Sequence, residues 1–210
     1  MTGEELLDAA YELQNTEEAL AHYEAWAATY DDEVDGKHRY AQPRRCASAL
    51  AECLDPAGAE VLDVGCGTGL SGLALAAAGF STLDGCDLSP AMLKQAERTD
   101  TYRRLFEANL NEGIDVPDGA YDAATAVGVL SFGHVRTDAL REMLRVLRPE
   151  GVLVVGLNDH YWAEGAVSAE LEAIEADGQG RVVIREHGDH LPGVGIQGWV
   201  VAVVKARPSF

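Results

Sequence analysis

From residue 60 onward the chain alternates between short, nearly unbroken apolar runs and amphipathic stretches of about ten residues. The pattern predicts strands at 60–64, 81–86, 121–127 and 151–157 and a short one near 103–107, with helices at 69–78, 89–98 and 136–147 between them. Strands that are apolar on both faces and separated by helices form a parallel sheet covered on each side. The rhythm changes near the end. After a helix at about 161–176, two strands near 181–186 and 197–206 follow one another with no helix between them, so they pair antiparallel.

Before residue 60 the pattern is helical throughout. Leu6, Leu7, Ala10 and Leu13, then Leu20, Tyr23, Trp26, Ala27 and Tyr30, recur at helical spacing, with Asn15-Thr16-Glu17-Glu18 as a cap between two helices. A third helix, about 39–54 and starting near Pro43, leads into the turn Asp55-Pro56-Ala57-Gly58. The expected fold is α/β: a doubly wound, Rossmann-like, mostly parallel sheet of seven strands with an antiparallel last strand and an N-terminal helical lid. With 210 residues the chain suits one domain, residues 1–54 covering a site on a core of residues 60–206.

The most specific feature is Val61-Leu62-Asp63-Val64-Gly65-Cys66-Gly67-Thr68-Gly69, with Asp87-Leu88-Ser89-Pro90 following at the end of the next strand. Gly65, Gly67 and Gly69 allow an abrupt strand-to-helix turn and close approach of a ligand to bare main chain. Asp87 falls where two carboxylate oxygens can accept both hydroxyls of a ribose. The spacing is G-x-G-x-G, and Leu70 stands where a dinucleotide site carries its third glycine. Asp63, two residues before the first glycine, would repel a pyrophosphate but favour the ammonium of a methionine tail. S-adenosylmethionine (SAM) has an adenosine, a sulfonium and an amino-acid tail without phosphate, and fits this arrangement better than a dinucleotide.

These stretches, with Ala91-Met92-Leu93, Tyr121-Asp122-Ala123 and Leu144-Arg145-Val146-Leu147-Arg148-Pro149-Glu150-Gly151-Val152-Leu153, resemble the class I SAM-dependent methyltransferases over roughly residues 20–160. Around His22-Tyr23-Glu24-Ala25-Trp26 and Val127-Gly128-Val129-Leu130-Ser131 the layout is similar to the Williams-Beuren-region methyltransferase-like group. The resemblance implies a cofactor site of Tyr30, Asp63, Gly65, Cys66, Gly67, Thr68, Gly69, Asp87, Leu88, Met92, Asn109, Leu110, Val127 and Gly128. In it Leu88, Met92 and Leu110 sandwich the adenine or are plain core. Asn109 bonds the adenine amino group or forms a turn, and Tyr30 acts as a lid or, like Tyr23 and Trp26, packs in the core. Two other readings stand beside an active methyltransferase: a SAM-binding regulatory module without turnover, and a Rossmann oxidoreductase, which Leu70 disfavours.

Composition narrows the partners. The net charge is −19 and the basic residues are dispersed, which disfavours a nucleic acid, whose phosphates need a basic stripe; with no sizeable insertion to dock a macromolecule, a small-molecule acceptor is expected. The chain has only three lysines, a profile that suits either a salt-loving source or a GC-rich genome. No run of eighteen apolar residues predicts a membrane span and the first residues do not read as a signal peptide. Cys46, Cys53, Cys66 and Cys86 lack C-x-x-C spacing, so no metal is expected and a reducing, cytoplasmic setting is. His134, Asp159, His160, Tyr161, His187 and His190 fall in loops around the expected acceptor. Of these His134 and His160 are the candidate catalytic bases.

Overall fold

A computed structural model describes residues 16–27, 29–30, 32–130 and 135–207. The helix expected before residue 15 lies outside them. Two helices open the described chain, α1 (Thr16–Trp26) and α2 (Gln42–Cys53), joined through a π-helical segment, Asp32–Lys37. The alternating part follows: β1 (Glu60–Val64), α3 (Leu70–Ala77), β2 (Thr82–Asp87), α4 (Pro90–Glu97), β3 (Arg104–Glu107), β4 (Tyr121–Val127), α5 (Ala139–Arg145) and β5 (Leu147–Asn158). The chain ends with α6 (Asp159–Ala163), α7 (Ala166–Ala176), β6 (Gly180–Leu191) and β7 (Ile196–Lys205).

The seven strands lie in the order β3-β2-β1-β4-β5-β7-β6. β1 pairs parallel with both β2 and β4, whereas β7 runs antiparallel to β5 and β6. The chain thus builds outward from β1 in one direction, returns to β4, and builds outward in the other. Where the order reverses, between β1 and β4, the connections diverge to opposite faces and leave a crevice at the strands' carboxyl ends.

The period-two alternation of the strands divides the core. Leu62, Val64, Ala124, Ala126, Leu153 and Val155 face α5 and α7, whose Leu140, Met143, Leu144, Leu171 and Ile174 complete one apolar layer. Val61, Leu83, Ala123, Val152 and Val154 point the other way onto Cys46, Ala47 and Leu50 of α2 and Leu75 of α3. A third, smaller cluster of Trp26, Val34, Tyr40 and Leu191 packs against Tyr30, Leu70 and Val127, so the N-terminal segment rests on the carboxyl end of the sheet. Backbone hydrogen bonds from Ala41 N to His190 O (3.0 Å) and from Gly193 N to His38 O (2.9 Å) tie that segment to the end of β6.

Three boundaries differ from the expectation for local reasons. The helix expected at 161–176 is broken into α6 and α7, because Gly165 takes a left-handed conformation (φ 78°) between them. The expected helix 136–147 is confined to Ala139–Arg145, since Leu147 already pairs with Tyr121. β5 therefore begins before Arg148-Pro149-Glu150-Gly151, a turn within the strand at which Glu150 has φ 67° and the register with β4 slips. Among the described residues no helix is long and apolar enough to cross a membrane.

Candidate active site

The glycine loop leaves β1 and is fastened by its own main chain and by β2. Cys66 N donates to Cys86 O (3.0 Å) and Gly69 N to Cys66 O (2.9 Å). Gly67 has φ 54° and nothing within 4 Å of where a Cβ would stand, so its bare face opens onto the crevice. Its amide donates to Asp87 Oδ2 (2.9 Å), and the amide of Ser89 donates to Asp87 Oδ1 (2.9 Å). Each Asp87 oxygen therefore keeps accepting capacity toward the cleft. Burial raises the Asp87 carboxyl above its ordinary value, against the amides of Ser89, Gly67 and Leu88. Ser89 caps α4, its side chain accepting from Met92 N at 3.3 Å, with Pro90 in the first turn. That cap aims Leu88 and Met92 at the site.

Two adjoining cavities meet at the loop. The larger is walled by Asp87, Leu88, Met92, Ala108, Asn109, Leu110, Val129 and Val135, with Ala19 and Tyr30 over it and Gly65, Gly67, Val127 and Gly128 beneath. The smaller lies against Cys66, Thr68, Leu70 and Ser71 and is bounded by Tyr30, Tyr40, Pro43 and Val127. Tyr30 spans both, held by an edge-on contact with Trp26 at 4.8 Å between ring centres. Gly128 follows β4 with φ 70°, and a Cβ there would stand 2.5 Å from the Tyr40 hydroxyl. Among the described residues no lysine or arginine lines either cavity.

The motif residues therefore gather at one place, with two exceptions. Gly69 serves as the left-handed start of α3 (φ 100°) and does not line either cavity. Asp63 is fully buried behind the loop, where it accepts from Ser71 Oγ (2.5 Å), Tyr102 Oη (2.7 Å) and Thr125 Oγ1 (3.0 Å). Burial pushes its carboxyl up to about 6, with the three hydroxyls opposing. Asn109 lines the larger cavity and also forms a turn, its Oδ1 accepting from Asn111 N (3.2 Å) and its Nδ2 donating to Glu112 (2.8 Å). The turn is formed, and the side chain stands at the cavity wall.

The acceptor side is less concentrated. His160 is exposed on α6, and His134, with Ser131, lies outside the described residues. His187 Nε2 pairs with both oxygens of Asp159 (2.9 and 3.0 Å) and its ring tilts against Trp199. His190 is buried against Tyr40, edge-on at 5.2 Å, and burial holds its imidazole down to about 4. No group of three metal-ligating side chains occurs among the described residues. Sequence reasoning missed Tyr40 and Tyr102. The latter reaches back from just before β3 so that its hydroxyl also accepts from Gly72 N (3.1 Å), and any side chain at Gly72 would collide with it.

This arrangement fits SAM: apolar walls beside a carboxylate that retains accepting capacity, a bare loop, buried negative charge, and, among the described residues, no cation to hold a phosphate. Comparison with known proteins agrees. A family model described as a methyltransferase domain matches residues 62–155. The protein is a class I SAM-dependent methyltransferase, with SAM as its cofactor. Within that family it is similar to human Methyltransferase-like protein 27, with 36% identity over 176 residues, 81% of this chain and 71% of the relative. It is also similar to 18S rRNA (guanine-N(7))-methyltransferase of Bos taurus, with 38% identity over 72 residues, which is 34% of this chain and 25% of that one. The fold matches a SAM-dependent methyltransferase of Thermotoga maritima described as a possible histamine N-methyltransferase, with a TM-score of 0.64 and 16% identity over 88% of this chain and 98% of the other.

Proposed function

We propose that the methyl acceptor is a small molecule and not a nucleic acid. The observation that carries this reading is electrostatic: the chain bears a net charge of −19, and among the described residues no lysine or arginine lines the cleft to which an acceptor must come. A nucleic acid brings phosphates that such a surface repels. A neutral or cationic small molecule meets no such barrier. The rRNA methyltransferase named above aligns with only 34% of this chain, so its substrate says little about the parts that meet an acceptor.

In this reading Asp87 holds the ribose hydroxyls, and Leu88, Met92 and Leu110 enclose the adenine beside Asn109. Thr68, Cys66 and the Gly65–Gly67 main chain follow the methionine portion, with Val127 and Gly128 beneath it. When bound, SAM supplies a methyl carbon already activated by a sulfonium leaving group. The protein's task is to align the acceptor and exclude water, which Tyr30 performs from above. For a hydroxyl or ammonium acceptor a base must also remove a proton, a contribution of roughly 10²- to 10⁴-fold. His160, exposed just after β5, and His134 are the proposed bases; a neutral amine attacks with its lone pair and needs neither, and a thiol reacts as the thiolate that ionisation in solution supplies. The four free cysteines support a reducing compartment. Incubating purified protein with methyl-labelled SAM and a size-fractionated cell extract tests the acceptor class. Label in a low-mass species is expected, and label confined to RNA or protein would overturn the reading.

A further inference from the structure

The two cavities at the glycine loop run along the ends of β3, β2, β1 and β4, so the strands left beside a bound cofactor for its acceptor are β5 and β7. Pairing puts a tryptophan there. Val127 lies beside Gly156 and Leu157 beside Trp199, which sets Trp199 level with the residue after β4 and two strand spacings from it, about 10 Å. Trp199 belongs to none of the three core clusters. Its ring lies instead on that of Trp162 in α6, with 4.8 Å between centres and 21° between planes, and the His187 ring of β6 tilts against it at 4.8 Å. Both indoles are half-buried. Asp159, the first residue of α6, pairs with that His187 (2.9 Å), and His160 stands next to it in the helix.

A cation already rests on this surface. Arg185, also on β6, is exposed and forms no ion pair among the described residues, and its guanidinium lies over the Trp162 ring at 5.6 Å. A guanidinium free to extend into water that rests on a ring face instead marks that face as one that holds cations. The net charge of −19 on the chain around it adds to the attraction.

We propose that Trp162 and Trp199 form the acceptor's recognition platform, that the acceptor carries a quaternary ammonium or guanidinium-like group about 10 Å from the atom to be methylated, and that Arg185 covers the platform until the acceptor displaces it. The inference rests on the small-molecule reading and adds the substrate's charge to it. An aromatic face attracts a cation through its quadrupole and has no such pull on a neutral group of the same shape, so the platform selects by charge. Asp159 brings a carboxylate to the same place. The separation from Gly128 lets the acceptor present its nucleophile to the methyl group while its charged end is held, so that binding of a part that does not react orients the part that does.

The chain has three tryptophans, so a proton–nitrogen correlation spectrum carries three indole signals, with Trp26 as an internal control. The test titrates the full chain, saturated with the demethylated product S-adenosylhomocysteine so that the cofactor cleft is filled, with tetramethylammonium chloride. Its neutral near-isostere tert-butanol and sodium chloride are titrated separately, and the signals are assigned through Trp162→Phe and Trp199→Phe. Tetramethylammonium should shift the Trp162 and Trp199 signals to saturation and leave Trp26 in place, and neither control should do so. Arg185→Ala should bind it about two- to fivefold more tightly, because one exposed cation no longer competes for the ring. In the labelling assay, tetramethylammonium should raise the apparent KM of the low-mass fraction without changing the Kd of SAM. Absence of a saturable shift, an equal shift with tert-butanol, no tighter binding in Arg185→Ala, or unaltered transfer with the platform occupied would each overturn the proposal and leave the small-molecule reading standing. Label confined to RNA or protein overturns that reading and this proposal with it.

Discussion

The two ends of the central strands treat carboxylates in opposite ways. Toward the amino end, Glu60 of β1, Asp84 of β2 and Asp122 of β4 are all bound by guanidinium groups. Arg103 joins Glu60 to Asp84, and Arg148 joins Glu60 (2.7 Å) to Asp122 (2.5 Å). Arg103 and Arg148 lower the Glu60 carboxyl, and at Asp84 and Asp122 the same arginines more than offset burial, so all three lie below their ordinary values. Toward the carboxyl end of β1 and β2, Asp63 and Asp87 have only hydroxyls and amides, and both are raised by burial. One end spends its carboxylates on holding strands in register. The other leaves them for a ligand.

Breaking the paired end should cost stability without touching the cofactor. Asp84→Ala strands Arg103 and removes the acceptor of the Tyr121 hydroxyl (2.8 Å). Because Arg103 is half-exposed, the loss belongs at the low end for a broken buried pair, about 3 kcal/mol. Thermal unfolding should show a drop of roughly 6–12 °C, with the SAM Kd of the folded protein unchanged.

The unpaired end should respond with the opposite sign. The Asp63 carboxyl, ordinarily near 3.8, is raised to about 6 in the fold, so the stability this group contributes is complete below 3.8 and lost as pH rises through 6. Without ligand, Asp63→Asn should therefore be more stable than wild type at pH 8, by about 3 kcal/mol. The gap should close as the pH is lowered to 4. Denaturant unfolding at a series of pH values measures it, and a variant less stable at pH 8 would contradict the unpaired charge.

His190 sharpens the comparison from the acceptor side. Its folded value of about 4, against an ordinary 6.5, means its contribution is complete above 6.5 and lost as pH falls toward 4. His190→Phe should lose about 1 to 2 kcal/mol less than wild type between pH 7 and pH 4.5. The smallest effect is expected at the surface. Removing Arg207, which pairs with Glu150 in the open, should leave the melting curve unchanged.

Much of this contrast was readable in the sequence, and its limit has a physical cause. The glycine loop and Asp87 are local: the main-chain shape a nucleoside requires is written in consecutive residues, as is the short link, with only a 3-10 turn at Pro192–Val194, that makes β7 antiparallel. Asp63 was also visible as a position, but its partners were not. Ser71, Tyr102 and Thr125 lie 8, 39 and 62 positions away and meet it only once the sheet has formed. Tyr102 left one trace in Gly72 and Gly85, glycines in a helix and a strand that needed no unusual backbone. The acceptor side carries no comparable motif, because an acceptor imposes no fixed main-chain shape. His187 and His190 stand three residues apart, yet one is paired with Asp159 in the open and the other is buried on Tyr40.

The account rests on the carboxyl end of β1 and β2 being a site for SAM, and Asp87 is the residue on which that depends most directly. Equilibrium titration of SAM into wild type and Asp87→Ala at pH 7.5, with the melting curve of each recorded without ligand, decides it. The wild type should bind and, at about a hundred times its Kd, gain roughly 2.7 kcal/mol of stability, while a folded Asp87→Ala should lose most of both. An Asp87→Ala protein that binds SAM as tightly as the wild type would contradict the account.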